Sequence, residues 1–153
     1  MKTLVVFYSR SGNTKKVALE ISKMMNADVE EILDEKDRSG VVGYLSAGKD
    51  ATFKSLGKIK KTNKNPKDYD LVIAGTPVWA FTVSTPVKTY LDMNKENLKE
   101  VAFFATQGGS GADNAFKEME KVCGKKPRAV ASMTEADVKA NRFYLLSGIT
   151  SLK

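Results

Sequence analysis

The stretch Ser9-Arg10-Ser11-Gly12-Asn13-Thr14 lies between an apolar run, residues 4–7, and a helical pattern that begins near Thr14. It offers three hydroxyl groups together with the backbone N–H groups of a helix N-terminus, whose partial positive charge favours an anion. Gly12 permits close approach of the backbone to a ligand. No Gly-Lys-Ser/Thr follows, and the three spaced glycines of a dinucleotide site are missing. The stretch therefore predicts a loop that holds a phosphate monoester through hydroxyl and amide groups.

Two later apolar runs, residues 71–74 and 101–105, are also followed by distinctive loops. The first loop reads Gly75-Thr76-Pro77-Val78-Trp79-Ala80-Phe81-Thr82 and contains the only tryptophan, and the second reads Thr106-Gln107-Gly108-Gly109-Ser110-Gly111. Core packing of the tryptophan and a flexible glycine-rich turn are the structural alternatives. The chain thus has a hydroxyl-rich loop, an aromatic loop and a glycine-rich loop, in this order and each after its own strand. In this arrangement it resembles the flavodoxin-like family. The resemblance covers nearly the whole chain and is to the shorter flavodoxins.

The resemblance implies flavin mononucleotide (FMN) as the cofactor, with a separate task for each loop. The first loop would bind the phosphate, Trp79 and Phe81 would flank the isoalloxazine, and the glycine-rich loop would bring backbone groups to the pyrimidine edge. The cofactor-binding residues implied in this way are Ser9, Arg10, Ser11, Gly12, Asn13, Thr14, Thr76, Pro77, Val78, Trp79, Ala80, Phe81, Thr82, Gln107, Gly108, Gly109 and Gly111. No catalytic residue and no metal ligand is expected.

Two positions depart from the pattern of the family. Arg10 is charged where an uncharged residue is expected, and we expect it to point outward because the hydroxyls and amides of the loop already suffice for a phosphate. Pairing of Arg10 with the phosphate is the alternative. Ala80 stands where many flavodoxins have a glycine whose peptide flips on reduction, and alanine adopts a positive φ at a higher energetic cost than glycine.

Strand and helix patterns alternate along the chain. Strands are predicted near residues 3–8, 28–33, 70–75, 100–106 and 127–133, and helices near 14–25, 38–56, 86–94, 113–123 and 135–152. Such alternation predicts an α/β fold with a doubly wound, five-stranded parallel sheet between two helical layers. Asp28, Glu30 and Glu31 make the second strand too polar for the sheet centre, so it should be an edge, as in the flavodoxin-like order 2-1-3-4-5. No sixth strand is expected.

Length and composition limit the class of protein. With 153 residues, of which 42% are hydrophobic, the chain predicts one domain over residues 1–153. We find no membrane span or signal peptide and expect a cytoplasmic protein. Cys123 is the only cysteine and is expected to be a buried filler, and the chain has no histidine. These features argue against disulfides, four-cysteine metal sites and hydrolytic triads, so reactivity is expected to come from a cofactor.

The charge is unusual for the family, whose members are typically acidic. The net charge is +7, and six lysines without an acidic residue occur between Lys54 and Lys67. A solvated loop is one explanation. Docking of an acidic redox partner such as a ferredoxin is the other, because opposite charge accelerates encounter. Sequence-specific nucleic-acid binding is disfavoured because arginines are missing there and aromatic residues lie only at the borders.

Two functions therefore remain open. The first is an FMN protein that carries electrons between larger redox proteins, and the second is an FMN-dependent NAD(P)H:quinone or flavin oxidoreductase, which the fold alone does not separate from a carrier. The absence of histidine disfavours the enzyme, whereas the charge and Ala80 favour it. A phosphorelay receiver is excluded because Ser9 and Thr76 occupy the positions where it needs acidic residues.

Overall fold

The computed structural model describes residues 1–35 and 57–152. Within them lie the strands β1 (Thr3–Phe7), β2 (Asp28–Glu31), β3 (Leu71–Trp79), β4 (Thr82–Val83), β5 (Glu100–Gln107) and β6 (Val130–Thr134). Five of these strands pair in parallel in the order β2-β1-β3-β5-β6. The predicted order of five parallel strands is confirmed.

Helices connect the strands. The described helices are α1 (Asn13–Met25), α2 (Thr85–Asn94), α3 (Ala112–Cys123), α4 (Glu135–Lys139) and α5 (Ser147–Thr150), with 3-10 turns at Pro66–Asp68, Lys95–Asn97 and Phe143–Leu146. The helix predicted near residues 38–56 lies outside the described residues. Proline at the second position of α2 has a φ that suits a helix start, as the sequence indicated.

The two faces of the sheet bury separate apolar layers because neighbouring strand residues point to opposite faces. Leu4, Val6 and Phe103 pack with residues of α2 and α3 on one face. On the other face, Phe7 and Phe104 pack with α1 and the C-terminal helices. The sheet thus lies between two helical layers, and the predicted three-layer class is confirmed.

The polar strand β2 lies at the edge of the sheet, as predicted. Glu30 Oε1 accepts hydrogen bonds from the backbone N–H groups of Asn63 (2.8 Å) and Lys64 (2.7 Å). The Tyr69 hydroxyl donates to Asp28 Oδ2 at 2.7 Å. The acidic side chains of β2 therefore hold the lysine-containing segment that follows residue 57.

Two predicted elements were wrong in detail. The single closing helix over residues 135–152 is broken into α4, a 3-10 turn and α5, because Asn141 has a left-handed backbone with φ 55°.

A sixth strand, β4, pairs antiparallel with the end of β3, which extends to Trp79 instead of ending near residue 75. The turn between them places both Ala80 (φ 48°) and Phe81 (φ 64°) in the left-handed region. Hairpin turns of this kind normally use glycine or asparagine, so residue preferences did not predict this hairpin.

Candidate functional site

The loops that follow β1, β3, β5 and β6 meet at one edge of the sheet because parallel strands end on the same side. The register aligns Phe7 with Gly75 and Gln107 with Thr134 across neighbouring strands. A cavity of about 300 Å³ lies among these loops. Its lining residues are Arg10, Ser11, Asn13, Pro77, Val78, Trp79, Thr106, Gln107, Gly108 and Glu135. All three loops selected from the sequence therefore contribute to one cavity.

The loop before α1 has the donor groups of an anion site. Gly12 precedes the helix with φ 100°, and the first turn of α1 contains no acidic residue. Ser9 Oγ accepts from the backbone N–H groups of Gly12 and Lys15, both at 3.1 Å. Within the described ranges, no hydrogen bond is formed by the backbone N–H groups of Asn13 and Thr14. Ser9 thus organises the loop, and the helix N-terminus retains donors for an anion.

Thr14 also links the first loop to the neighbouring strand. Its Oγ1 lies 2.7 Å from Oγ1 of Thr106, and both side chains are buried. Ser11, in contrast, is exposed and lines the cavity. Thr106 was not among the predicted site residues, since its partner lies 92 positions away in the sequence.

Trp79 ends β3 and contributes to both the core and the cavity. Its side chain is 7% exposed, and its ring meets that of Tyr8 edge-on, with centroids 5.4 Å apart and an interplanar angle of 84°. Tyr8 directly precedes the anion loop and was not predicted as a site residue. Thr82 pairs with Trp79 in the hairpin and is buried. The hairpin therefore fixes the tryptophan on the cavity wall.

Phe81 lies at the tip of the hairpin and is not among the lining residues of the cavity. Its side chain is 67% exposed. The Asn114 side-chain amide donates to the Phe81 carbonyl at 2.7 Å. At Gly111, where φ is 106°, a Cβ atom would lie 2.8 Å from Val78 Cγ1 and 3.1 Å from Phe81 Cα. Glycine is therefore required for the close contact between the glycine-rich loop and the hairpin.

The backbone at Ala80 leads to a prediction about stability. Ala80 is exposed and left-handed, so Ala80→Gly should relieve strain of about 1–2 kcal/mol, partly offset by the greater freedom of glycine in the unfolded chain. We expect a net stabilisation of about 0.5–1 kcal/mol in urea unfolding. Asn26→Gly is the matched control, because asparagine tolerates the left-handed conformation found there, with φ 50°. If the two substitutions changed the free energy of unfolding equally, this would contradict backbone strain at Ala80.

The remaining predicted residues differ in their position relative to the cavity. Gln107 lines it, and its Oε1 accepts from the backbone N–H of Ala112 at 3.0 Å. Gly109 and Gly111 line a separate cavity beside α3. Thr76 is buried, and its Oγ1 accepts from the backbone N–H of Ser84 at 3.0 Å, so it joins β3 to the start of α2.

Glu135 lines the cavity and was missed by the sequence reasoning. Thr134 Oγ1 accepts from the backbone N–H of Asp137 at 3.1 Å, and Asp137 Oδ2 accepts from the backbone N–H of Thr134 at 2.9 Å. The Thr134 N–H and Arg142 hold the pKa of the Asp137 carboxyl below its usual range. This capping motif was recognisable in the sequence, but its closeness to the first loop depends on the sheet order.

Comparison with known proteins identifies the family. The flavodoxin family model matches residues 2–140. The chain belongs to the flavodoxin family. No curated protein matches this flavodoxin-family chain. Among the described residues, none of the helices is long and apolar enough to span a membrane, and no group of three or more potential metal ligands occurs.

Solved structures of other proteins share the fold of this flavodoxin-family chain. The flavoprotein of Lactobacillus acidophilus NCFM in complex with FMN is 27% identical, with a TM-score of 0.76, and the match covers 94% of this chain and 98% of that one. The Trp repressor binding protein of Bacillus subtilis is 16% identical, with a TM-score of 0.60 and 99% of each chain covered. Oxidised flavodoxin 1 of Bacillus cereus is 16% identical, with a TM-score of 0.54 and full coverage of both chains. At 16% identity, the Bacillus subtilis and Bacillus cereus proteins show only that the fold is shared.

Proposed function

We propose that this flavodoxin-family chain binds FMN in the cavity between its three loops and carries electrons between larger redox proteins. The observation that carries the proposal is the convergence of the anion loop, Trp79 and Gly108 on one cavity. FMN as the cofactor is supported by the family match and by the FMN complex of the Lactobacillus relative. When bound, FMN supplies the capacity to accept and release one or two electrons.

The residues of the cavity fit the chemical parts of FMN. The backbone N–H groups of Asn13 and Thr14, with the exposed hydroxyl of Ser11, would hold the phosphate. Trp79 offers a flat apolar surface on the cavity wall. Gly108 has open space around its Cα and would expose backbone donors and acceptors to the ring edge. The chain's role is thus to bind and orient the ring.

The lysine-containing segment runs along the edge of the sheet from the cavity side toward the opposite end. The Lys58 carbonyl accepts from Glu35 N–H at 3.1 Å, and Lys60 N–H donates to the Leu33 carbonyl at 2.8 Å, just beyond the C-terminal end of β2. Lys67 lies in the turn that precedes β3. Since β3 has nine residues, its ends are about 30 Å apart. An acidic partner that exchanges electrons with FMN should therefore use Lys58 and Lys60. Lys54, at the start of the predicted stretch, lies outside the described residues.

Charge reversal at the two ends of the sheet tests this docking. Lys58→Glu with Lys60→Glu should lower the rate constant of reduction by an acidic iron–sulfur ferredoxin about tenfold at low salt, because the attraction near FMN is lost. Lys67→Glu with Lys99→Glu is the matched control. It makes the same change in net charge at the N-terminal end of the strands, where both lysines are exposed, and should alter the rate less than threefold.

Stopped-flow absorbance with reduced ferredoxin measures these rates, and the difference should vanish as salt screens the charges. Equal slowing by both double variants would contradict docking near the cofactor. The alternative function, an FMN-dependent NAD(P)H:quinone or flavin oxidoreductase, is favoured by the net charge of +7 and by Ala80 in the turn beside the cavity. Faster reduction by NAD(P)H than by the ferredoxin would select that enzyme over the carrier.

A further inference from the structure

We propose that Asn114 is a positioning residue of the cofactor site: it holds the strained hairpin between β3 and β4 and, through it, the Trp79 wall of the cavity. Asn114 belongs to α3 and is not among the residues that line the cavity. The inference rests on the proposed binding of FMN, but the hold of Asn114 on the hairpin is measurable without a ligand.

The turn of the hairpin carries backbone strain at two consecutive residues. Ala80 and Phe81 both have a left-handed backbone, with φ of 48° and 64°. This conformation is unfavourable for residues with a Cβ atom, and it persists where the surrounding structure enforces it. The Phe81 side chain is largely exposed, so its burial does not compensate for the strain. The turn therefore depends on contacts made by its backbone.

Asn114 supplies such a contact. Its side-chain Nδ2 donates a hydrogen bond of 2.7 Å to the Phe81 carbonyl. Three residues earlier, at the start of α3, a Cβ atom on Gly111 would lie 3.1 Å from Phe81 Cα. Helix α3 and the turn are thus in direct contact, and the hydrogen bond fixes the direction of the peptide group between Phe81 and Thr82.

The helix that carries Asn114 is itself firmly placed. Phe116 and Met119 of α3 belong to the apolar layer on this face of the sheet. Lys88 of α2 and Glu118 of α3 form an ion pair with an Nζ–Oε2 distance of 3.9 Å. Since α2 follows β4 directly in the chain, α3 is also tied to the element that leaves the hairpin. Loss of the Asn114 hydrogen bond should therefore act on the turn rather than on the helix.

Trp79 connects the turn to the cofactor site, because it directly precedes Ala80 and lines the cavity. Without the hydrogen bond, more chains would relax to turns that displace Trp79, and the apparent affinity for a flavin falls with the fraction of chains that remain competent to bind. One hydrogen bond changes such a conformational equilibrium by roughly twofold to tenfold. The contact with the flavin ring would weaken, whereas the phosphate, held by the loop before α1, would keep its partners.

The test is a double-mutant cycle of Asn114→Ala and Ala80→Gly in the full chain. Quenching of Trp79 fluorescence gives the affinities for FMN and for riboflavin. We expect Asn114→Ala to weaken both flavins by the same factor, about threefold, because the turn positions the wall for the ring. In the Ala80→Gly background the strain is relieved and the turn keeps its conformation, so Asn114→Ala should weaken both flavins by less than about 1.5-fold. Asn97→Ala is the matched control: it removes the same side chain before the other end of β5 and should leave both affinities unchanged.

Acrylamide quenching of the apoproteins tests the hold on the hairpin without a ligand, because Trp79 is the only tryptophan. The quenching constant should rise in Asn114→Ala and return to the wild-type value in the double variant. Unchanged affinities in Asn114→Ala, equal weakening in both backgrounds, or an unchanged acrylamide constant would overturn the inference. Weakening of FMN alone would overturn it as well and would assign Asn114 to the phosphate. If the wild-type chain bound neither flavin, the proposed function would fall, and the acrylamide measurement would still decide whether Asn114 holds the turn.

Discussion

Replacing Trp79 with alanine is expected to weaken FMN binding about tenfold. The ring lines the cavity but exposes little area to it, so its removal should forfeit roughly 1.4 kcal/mol, mostly from aromatic contact with the isoalloxazine. Because Trp79 is only 7% exposed and packs against Tyr8, the apoprotein should also lose about 3 kcal/mol of stability. Titration with FMN and urea unfolding of the apoprotein measure the two effects separately.

Val83→Ala provides the control for Trp79. Val83 is 1% exposed, lies in the same hairpin and does not line the cavity. Its truncation should destabilise the apoprotein by about 2 kcal/mol and leave the FMN dissociation constant within about twofold of the original value. If Trp79→Ala lowered the stability of the apoprotein but left the affinity for FMN unchanged, Trp79 would have a role in core packing only.

Gly75→Ala should cause the second large effect, a loss of about 3 kcal/mol in the free energy of unfolding. Gly75 lies opposite Phe104 in the sheet, and a Cβ atom at Gly75 would lie 1.9 Å from Phe104 Cζ. The Phe104 ring is fully buried and cannot move aside without displacing the core. Urea unfolding measures the loss.

Two further variants separate this steric clash from other effects of alanine. Phe104→Leu should recover about 1–2 kcal/mol when it is combined with Gly75→Ala, because the two residues are in contact. Gly148→Ala is the control: a Cβ atom there meets nothing within 4 Å, and the site is in α5, so stability should be unchanged or increase by up to about 1 kcal/mol. A stability of Gly75→Ala close to that of the wild type would show that the ring does not cover Gly75.

Local sequence patterns were sufficient to predict the order of the five parallel strands and the three loops that contribute to the cavity wall. Asp28 and Glu30 predicted an edge strand because uncompensated acidic groups do not fit between two helical layers. The loops after β1, β3 and β5 were recognisable from residue type, and parallel pairing then determines that they meet.

The features that were missed depend on contacts between distant segments or on unusual backbone conformations. The Thr14–Thr106 pair and the approach of Glu135 to the first loop follow from register between strands. The β4 hairpin uses Ala80 and Phe81 where turn preferences predict glycine or asparagine. Asn141 interrupts an otherwise helical apolar pattern through its left-handed backbone, which the pattern alone does not require.

The most direct measurement of the central claim is a titration of the apoprotein with FMN and with riboflavin, followed by Trp79 fluorescence. The anion loop should make FMN bind at least a hundredfold more tightly than riboflavin, with one FMN per chain and strong quenching, because the phosphate gains charge-assisted hydrogen bonds of about 1.5–3 kcal/mol each. Ser11→Ala should weaken FMN roughly tenfold and leave riboflavin nearly unchanged. Equal affinity for FMN and riboflavin, or no quenching by either, would contradict the account of the site.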